Sequence, residues 1–157
     1  MFGYQMKNKK ILIICTSIHH GNTMKIAKAI SSVLDATIIN PGDLDINTIS
    51  NYDVIWFWSG VYDWKHHKNL FDLISKIKKQ QHKKSFIFST STIPFKITDK
   101  PIKEILEKKW FDVVGSFQCK WFMDYSFVKY FFGGLNKGRP NDKDIENAKT
   151  FAKQLVF

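Results

Sequence analysis

The chain has 157 residues, of which 44% are hydrophobic, and 24 Lys and Arg against 14 Asp and Glu give it a formal net charge of +10. This length predicts a single domain, residues 1–157, with a sizeable core. No apolar run approaches the roughly 20 residues that span a bilayer. Residues 1–8 lack the basic start and long apolar stretch of a signal peptide. We therefore expect a cytoplasmic protein with a short disordered lead.

Cysteine and histidine usage does not favour a metal site or a disulfide framework. Cys15 and Cys119 each adjoin a predicted strand, and no Cys or His pair has metal-ligand spacing. We expect both cysteines to be small buried residues. His66 and His67 are adjacent and cannot share one helix face, so we expect one to cap or pack and the other to be solvated. The lysines are spread along most of the chain, so we expect neither nucleic acid nor a membrane as the partner.

The first half of the chain predicts three strands and a helix. Ile11–Cys15 is apolar and β-branched and predicts a strand, and a helix follows over about Asn22–Leu34, where apolar residues fall on one face. Ala36–Ile39 predicts a short second strand, which ends at a Pro-Gly pair. The third strand, Asp53–Trp58, is apolar on consecutive residues, as expected for a parallel strand buried on both faces.

The second half continues the alternation of strands and helices. The predicted elements are, in order, a loop at Ser59–Trp64, a helix over about Lys65–Lys79, a strand at Ser85–Ser89, a loop at Thr90–Asp99, a helix from Pro101 to about Lys109, a strand at Val113–Cys119, and a last helix capped by Asn141.

This alternation predicts an α/β fold. It is a doubly wound three-layer sandwich, in which helices cover both faces of a five-stranded parallel sheet of order 2-1-3-4-5. In that order the loops after strands 1 and 3, Thr16–Thr23 and Ser59–Trp64, face each other across a crevice. Trp56 and Trp58 point to the same face of their strand, where we expect them to pack in the core.

The loop after the first strand has the composition of a phosphate-binding turn. Ser17, Asn22 and Thr23 offer side-chain donors, and Gly21 lets the backbone approach closely. A helix start adds unpaired N–H groups and a partial positive charge. The alternative is a capped helix start after a buried strand, which every α/β protein has, and these residues alone leave both interpretations open.

Four segments together resemble the flavodoxin family over nearly the whole chain. Ser17–Ala27 resembles the N-terminal FMN-phosphate loop, Tyr52–Ile55 with Ser59–Tyr62 and Lys65–His67 resembles the second flavin loop, Phe88–Ser91 resembles the third, and Gly134–Asn141 resembles the run before the last helix in a prokaryotic group of the family.

The resemblance implies an FMN-binding electron-transfer protein that shuttles electrons between redox enzymes. The flavin would do the chemistry, so no catalytic side chain is required. The implied cofactor-binding residues are Ser17, His19, His20, Gly21, Asn22 and Thr23 in the first loop, Ser59, Gly60, Val61, Tyr62 and Trp64 in the second, and Ser89, Thr90 and Ser91 in the third.

Two other functions remain open at this stage. One is a flavin or quinone reductase of the same fold, and the other is a flavodoxin-fold binding module that has lost FMN. Three residues separate Ser17 from Gly21 where the common flavodoxin signature has two, and Trp64 either stacks on the flavin or fills its site. Typical flavodoxins are acidic, so this basic chain predicts redox partner proteins with acidic surfaces, and we expect a monomer or weak dimer.

A phosphate-binding role for His19 or His20 predicts that FMN affinity rises as pH falls through about 6.5, because only the imidazolium is positively charged. Titration with FMN across that range measures this. A flat affinity would identify both residues as solvated loop histidines.

Overall fold

The computed structural model describes residues 9–16, 21–62, 65–93, 96–120 and 136–154, apart from the side chains of Asn22 and Tyr62. The strands are β1 Ile11–Thr16, β2 Thr37–Ile39, β3 Val54–Tyr62, β4 Lys65–His66, β5 Lys83–Ser91 and β6 Phe111–Lys120, and the helices are α1 Asn22–Leu34, α2 Lys68–Lys76, α3 Lys100–Lys108 and α4 Asp142–Gln154. The lead expected over residues 1–8 lies outside the described residues.

Five parallel strands form one sheet in the order β2-β1-β3-β5-β6. This confirms the predicted doubly wound topology, with the short strand β4 as an addition that pairs antiparallel to β3. The register places Thr16 beside Ser59, Ser59 beside Ser89, and Ser89 beside Gln118. We call the end of the sheet marked by these four residues the carboxyl edge.

Two apolar layers cover the faces of this sheet. On the face that carries α1 and α4, Trp56 and Trp58 are fully buried, as predicted. The ring of Trp56 stacks on Phe86 with centroids 4.9 Å apart. On the opposite face, Leu12, Ile55 and Phe57 pack beneath α2 and α3. The alternation of side chains along each central strand fills both layers, which explains why these strands are apolar on consecutive residues.

Both cysteines lie in the layer beneath α1 and α4, as predicted for small buried residues. Burial raises the pKa of Cys15 and of Cys119 to about 12, and the nearby Asp144 carboxylate adds to the effect at Cys119. Both thiols therefore stay protonated at neutral pH and behave as apolar groups. Within the described ranges, no helix has the length and apolar character needed to cross a membrane.

The predicted loop at Ser59–Trp64 is wrong for its first four residues, because Ser59–Tyr62 continue β3. Val61 pairs with His66 and Tyr62 with Lys65, so the chain turns back as an antiparallel hairpin. The helix predicted from Lys65 to Lys79 consequently begins only at Lys68, and it ends at Lys76. Apolar spacing identified the helix, but the hairpin pairing of Lys65 and His66 sets where it can begin.

The loop predicted at Thr90–Asp99 is also shorter than expected. Thr90 and Ser91 extend β5 through pairing with β6, and Lys96–Asp99 form a 3-10 turn before α3. Hydroxyl side chains do not prevent strand formation when backbone groups of a neighbouring strand are available, and this made the end of β5 hard to place from residue type.

Replacing Trp56 with Ala should lower the free energy of unfolding by about 3–5 kcal/mol, because a large side chain is removed from a closely packed layer. Chemical denaturation measures the change. Trp110→Ala is the matched control, since Trp110 is 51% exposed and makes a cation–π contact with Lys79, worth about 0.5–1 kcal/mol. Equal losses in the two variants would contradict the assignment of Trp56 to the core.

Candidate functional site

The strand order reverses between β1 and β3 at the carboxyl edge. β1 lies between β2 and β3, so the connections that leave β1 and β3 depart toward opposite faces of the sheet. Such a switch point is the usual ligand site of an open α/β sheet. Because β5 follows β3 in the sheet, the segments predicted to bind cofactor on β3 and β5 come together here.

The N-terminus of α1 follows β1 directly and lies at this switch point. Gly21 precedes the helix with φ 61° and ψ 17°, a left-handed conformation that glycine adopts without strain, and its carbonyl accepts from the Lys25 N–H at 2.9 Å. Within the described residues, no side chain caps α1 and no acidic residue lies in its first turn. The start of a helix carries N–H groups without partners inside the helix and a partial positive charge, which suit an anion.

Thr23 and Thr90 connect this helix to the end of β5. Their hydroxyl oxygens lie 2.7 Å apart and are buried, so one hydroxyl donates to the other. Both residues were predicted to touch cofactor in different loops. The structure brings them together and uses their hydroxyl groups to join α1 to the sheet.

Two further hydroxyls at the carboxyl edge are buried without a hydrogen-bond partner in the described part of the chain. They are the hydroxyls of Thr16 and Ser89, which flank Ser59 in the sheet register. An unsatisfied buried polar group costs about 1–3 kcal/mol.

A chain of buried hydrogen bonds begins at Ser59, which lies between Thr16 and Ser89 in the sheet register. The hydroxyl of Ser59 lies 2.7 Å from Nδ1 of His66, and Nε2 of His66 lies 2.8 Å from Oδ1 of Asp99. The amide of Gln118 donates to Oδ2 of Asp99 at 2.8 Å. The four residues come from β3, β4, the start of α3 and β6, and we call them the Ser59–Gln118 chain.

The donors in this chain can be assigned from its partners. The ionised carboxylate of Asp99 only accepts, so Nε2 of His66 carries the proton and Nδ1 accepts from the Ser59 hydroxyl. The Ser59 oxygen in turn accepts from the His67 N–H at 3.3 Å. The sequence Ser–His–Asp resembles a hydrolytic triad, but Ser59 is fully buried and has no access for a substrate. The Ser59–Gln118 chain therefore connects the elements at the carboxyl edge and does not supply a nucleophile.

His67 has a separate structural role. Its Nδ1 accepts from the Asn69 N–H at 3.2 Å and so caps α2. The expectation that one of the two histidines caps or packs is confirmed, but the other is not solvated, because His66 is buried in the Ser59–Gln118 chain. Within the described ranges, no group of His, Cys, Asp or Glu side chains has the arrangement of a metal site.

The segment before α4 also reaches the carboxyl edge. The Asn136 amide donates to the carbonyl of Thr92, just beyond β5, at 2.8 Å. Asn141 caps α4 as predicted, since its Oδ1 accepts from the Asp144 N–H at 3.1 Å. Asp144 also accepts from Arg139 at 2.5 Å. The first of these contacts brings Asn136 next to the predicted third flavin loop.

The predicted cofactor-binding residues fall into two groups. Gly21, the main chain of Asn22, Thr23, Ser59, Gly60, Val61, the main chain of Tyr62, Ser89, Thr90 and Ser91 lie around the carboxyl edge. The predicted contacts of Ser17, His19, His20 and Trp64 fall outside the described residues. The hydroxyls of Ser59 and Thr23 are engaged with His66 and Thr90, which leaves mainly their backbone for a ligand.

Sequence reasoning missed Asp99 and Gln118 as residues of this site. His66 lies in the segment Lys65–His67 that resembles the second flavin loop, but it was assigned to a helix that begins two residues later and was given no role there. The polarity of Gln118 gave no signal, because its strand also carries Asp112, Ser116 and Lys120.

A comparison with known protein families identifies the family of this chain. A model described as a flavodoxin domain matches residues 13–123. The chain belongs to the flavodoxin domain family. The match includes α1, β3, β5, β6 and the part of β1 from residue 13 onward, and therefore the four residues that mark the carboxyl edge.

Individual relatives agree with this assignment. An uncharacterized protein of Methanocaldococcus jannaschii is 46% identical over 149 residues, covering 94% of this chain and 98% of that protein. A flavodoxin from the domain Archaea superposes with a TM-score of 0.65 at 17% identity, covering 91% of this chain and 93% of the other. Rubredoxin oxygen:oxidoreductase from Desulfovibrio gigas gives a TM-score of 0.71 at 16% identity, covering 94% of this chain and 35% of the other. The two solved structures establish the fold.

Thr23→Val should destabilise the protein by about 1–3 kcal/mol, because it leaves the buried Thr90 hydroxyl without its partner. The double variant Thr23→Val, Thr90→Val should recover part of this loss, since both polar groups are then absent. Denaturation of the four proteins in the double-mutant cycle measures the coupling. Strictly additive effects would mean that the two hydroxyls do not interact.

Proposed function

We propose that this protein is an FMN-binding electron carrier of the flavodoxin type, which acts in the cytoplasm between redox enzymes. The observation that carries the proposal is the N-terminus of α1, which lies at the switch point of a flavodoxin-family sheet and has no side-chain cap among the described residues. Helix N–H groups suit the phosphate of FMN.

The residues present fit this cofactor. Gly21 and the first turn of α1 would hold the phosphate, and the end of β3 with Ser89–Ser91 would line the ring. Bound FMN would supply reversible electron transfer, while the protein sets its orientation and its preference for each redox state. The chain's own contribution is to place polar backbone at the switch point and to keep the strand ends rigid through the Thr23–Thr90 contact and the Ser59–Gln118 chain.

The charge of the chain supports a proposal about partners. A net charge of +10 attracts acidic surfaces, and such attraction raises association rates at low salt. We therefore expect the redox partners to present acidic surfaces to this protein. Electron-transfer rates with an acidic partner should fall as ionic strength rises.

The visible spectrum of the purified protein, before and after FMN is added, tests the proposed function. A flavin spectrum with tight FMN binding and weaker riboflavin binding is expected, because riboflavin lacks the phosphate that α1 would hold. A colourless protein that takes up no FMN would refute the proposal and favour a binding module that has lost the cofactor. Reduction of bound FMN by NAD(P)H in the purified protein alone would instead favour a reductase.

Lys25→Glu should weaken FMN binding several-fold while leaving riboflavin binding nearly unchanged. Lys25 is exposed in the first turn of α1, so a carboxylate there would repel a bound phosphate although it complements the helix dipole. Titrations of the apoprotein with both flavins measure the effect.

The matched control is Lys28→Glu, which makes the same charge change at an exposed position one turn further along α1. We expect a smaller loss of FMN affinity, because the repulsion falls with distance and is screened by salt. Equal losses in the two variants would show that net charge, and not the helix N-terminus, controls binding.

A further inference from the structure

The Ser59–Gln118 chain contains an ionisable group for which the proposed function has no role. Asp99 is 4% exposed and lies immediately before α3. In the described part of the chain its carboxylate is hydrogen-bonded to His66 and Gln118, and no lysine or arginine forms an ion pair with it. A buried carboxylate that no lysine or arginine contacts keeps a negative field around it.

The structure explains why this charge is tolerated. Each carboxylate oxygen accepts one hydrogen bond, from Nε2 of His66 and from the Gln118 amide. Asp99 also precedes the first turn of α3, where the partial positive charge of the helix favours an anion. Lys96, Lys100 and Lys103 line the adjoining groove together with Asp99, so they reduce its field on the side away from β3.

The position of the charge relates it to the carboxyl edge. The imidazole of His66 lies between Asp99 and Ser59 and contacts both. Ser59 in turn lies in register between Thr16 and Ser89. His66 also belongs to the β3–β4 hairpin through its pairing with Val61. The same imidazole therefore anchors the hairpin at the proposed cofactor site and orients the carboxylate behind it.

We propose that Asp99 is a fixed negative charge that lowers the reduction potential of a flavin bound at the carboxyl edge, and that His66 is the positioning residue that holds it there. The inference rests on the proposed FMN function. Reduction adds negative charge to the flavin, and a nearby carboxylate disfavours that state relative to the oxidised one. Asp99 acts through its field and does not exchange a proton or an electron.

Asp99→Asn tests the charge while keeping the shape of the side chain. In this variant the ratio of the affinity for reduced FMN to the affinity for oxidised FMN should be about tenfold higher than in the wild type. Such a change raises the midpoint potential by about 59 mV for a one-electron couple. Redox titration of the FMN-loaded protein measures the potential, and direct titration with oxidised FMN separates it from a general loss of affinity.

Two substitutions of His66 separate its two contacts. In His66→Gln the amide can occupy the position of Nε2 and still donate to Asp99, whereas in His66→Asn the amide occupies that of Nδ1 and meets only Ser59. The potential should stay near that of the wild type in the Gln variant and rise in the Asn variant. If only the packing of the side chain affected the potential, the potential of the Asn variant would not exceed that of the Gln variant.

The chain offers a matched control for the histidine–aspartate contact. His82 and Asp112 lie 2.8 Å apart at the opposite end of the sheet, and the His82 side chain is 78% exposed. Asp112→Asn removes one carboxylate charge, as Asp99→Asn does, at a side chain that is 45% exposed, and it should leave the potential and the FMN affinity nearly unchanged. A shift as large as that of Asp99→Asn would overturn the proposal, because it would show that the potential responds to overall charge and not to the buried carboxylate.

A measurement on the apoprotein checks the geometry without any flavin. The nitrogen resonances of His66 should report a proton on Nε2 and none on Nδ1, as the contacts with Asp99 and Ser59 require. The opposite tautomer would overturn the proposed arrangement. If the wild type binds no FMN, the proposed function fails and this inference fails with it, whereas FMN binding with an unchanged potential in Asp99→Asn refutes the inference alone. Should the His66 variants not fold, the Asp99→Asn potential decides.

Discussion

The parallel pairing of β1, β3, β5 and β6 is the constraint on which the rest of this structure depends. Parallel strands must be joined by crossovers, so helices run back along the sheet and begin at its carboxyl edge. The positive ends of α1 and α3 therefore reach the same edge. At α1 this field meets the switch point of the sheet, and at α3 it meets Asp99. One topological rule thus accounts both for the position of the proposed phosphate site and for a place where a buried carboxylate is stable.

The same rule explains much of what the sequence predicts. Apolar periodicity identified α1 with its observed bounds, and alternation of strands and helices gave the order of the five parallel strands. The core positions of Trp56 and Trp58 and the capping role of Asn141 follow from local geometry alone. Each of these features depends on residues that are close in sequence, and this is why single-chain patterns reveal them.

Features that depend on distant pairing were not predictable in this way. The hairpin of β3 and β4 forms because Val61 and Tyr62 find partners in Lys65 and His66, and no apolar pattern marks a two-residue strand. Ser89, Thr90 and Ser91 were treated as one loop, but on a strand they alternate between faces. Thr90 consequently meets Thr23 on one face, while the hydroxyl of Ser89 remains unsatisfied in the described structure.

The hydroxyls of Thr16 and Ser89, which lack hydrogen-bond partners among the described residues, lower the stability of the folded chain and so bear on how long the protein persists in a cell. A ligand that binds only the folded chain stabilises it by RT ln(1 + [L]/Kd), about 2.7 kcal/mol at a hundredfold excess over Kd. Chains synthesised when that ligand is scarce would open more often and be degraded sooner. The steady-state amount of the protein would then follow the supply of its ligand without any change in its rate of synthesis.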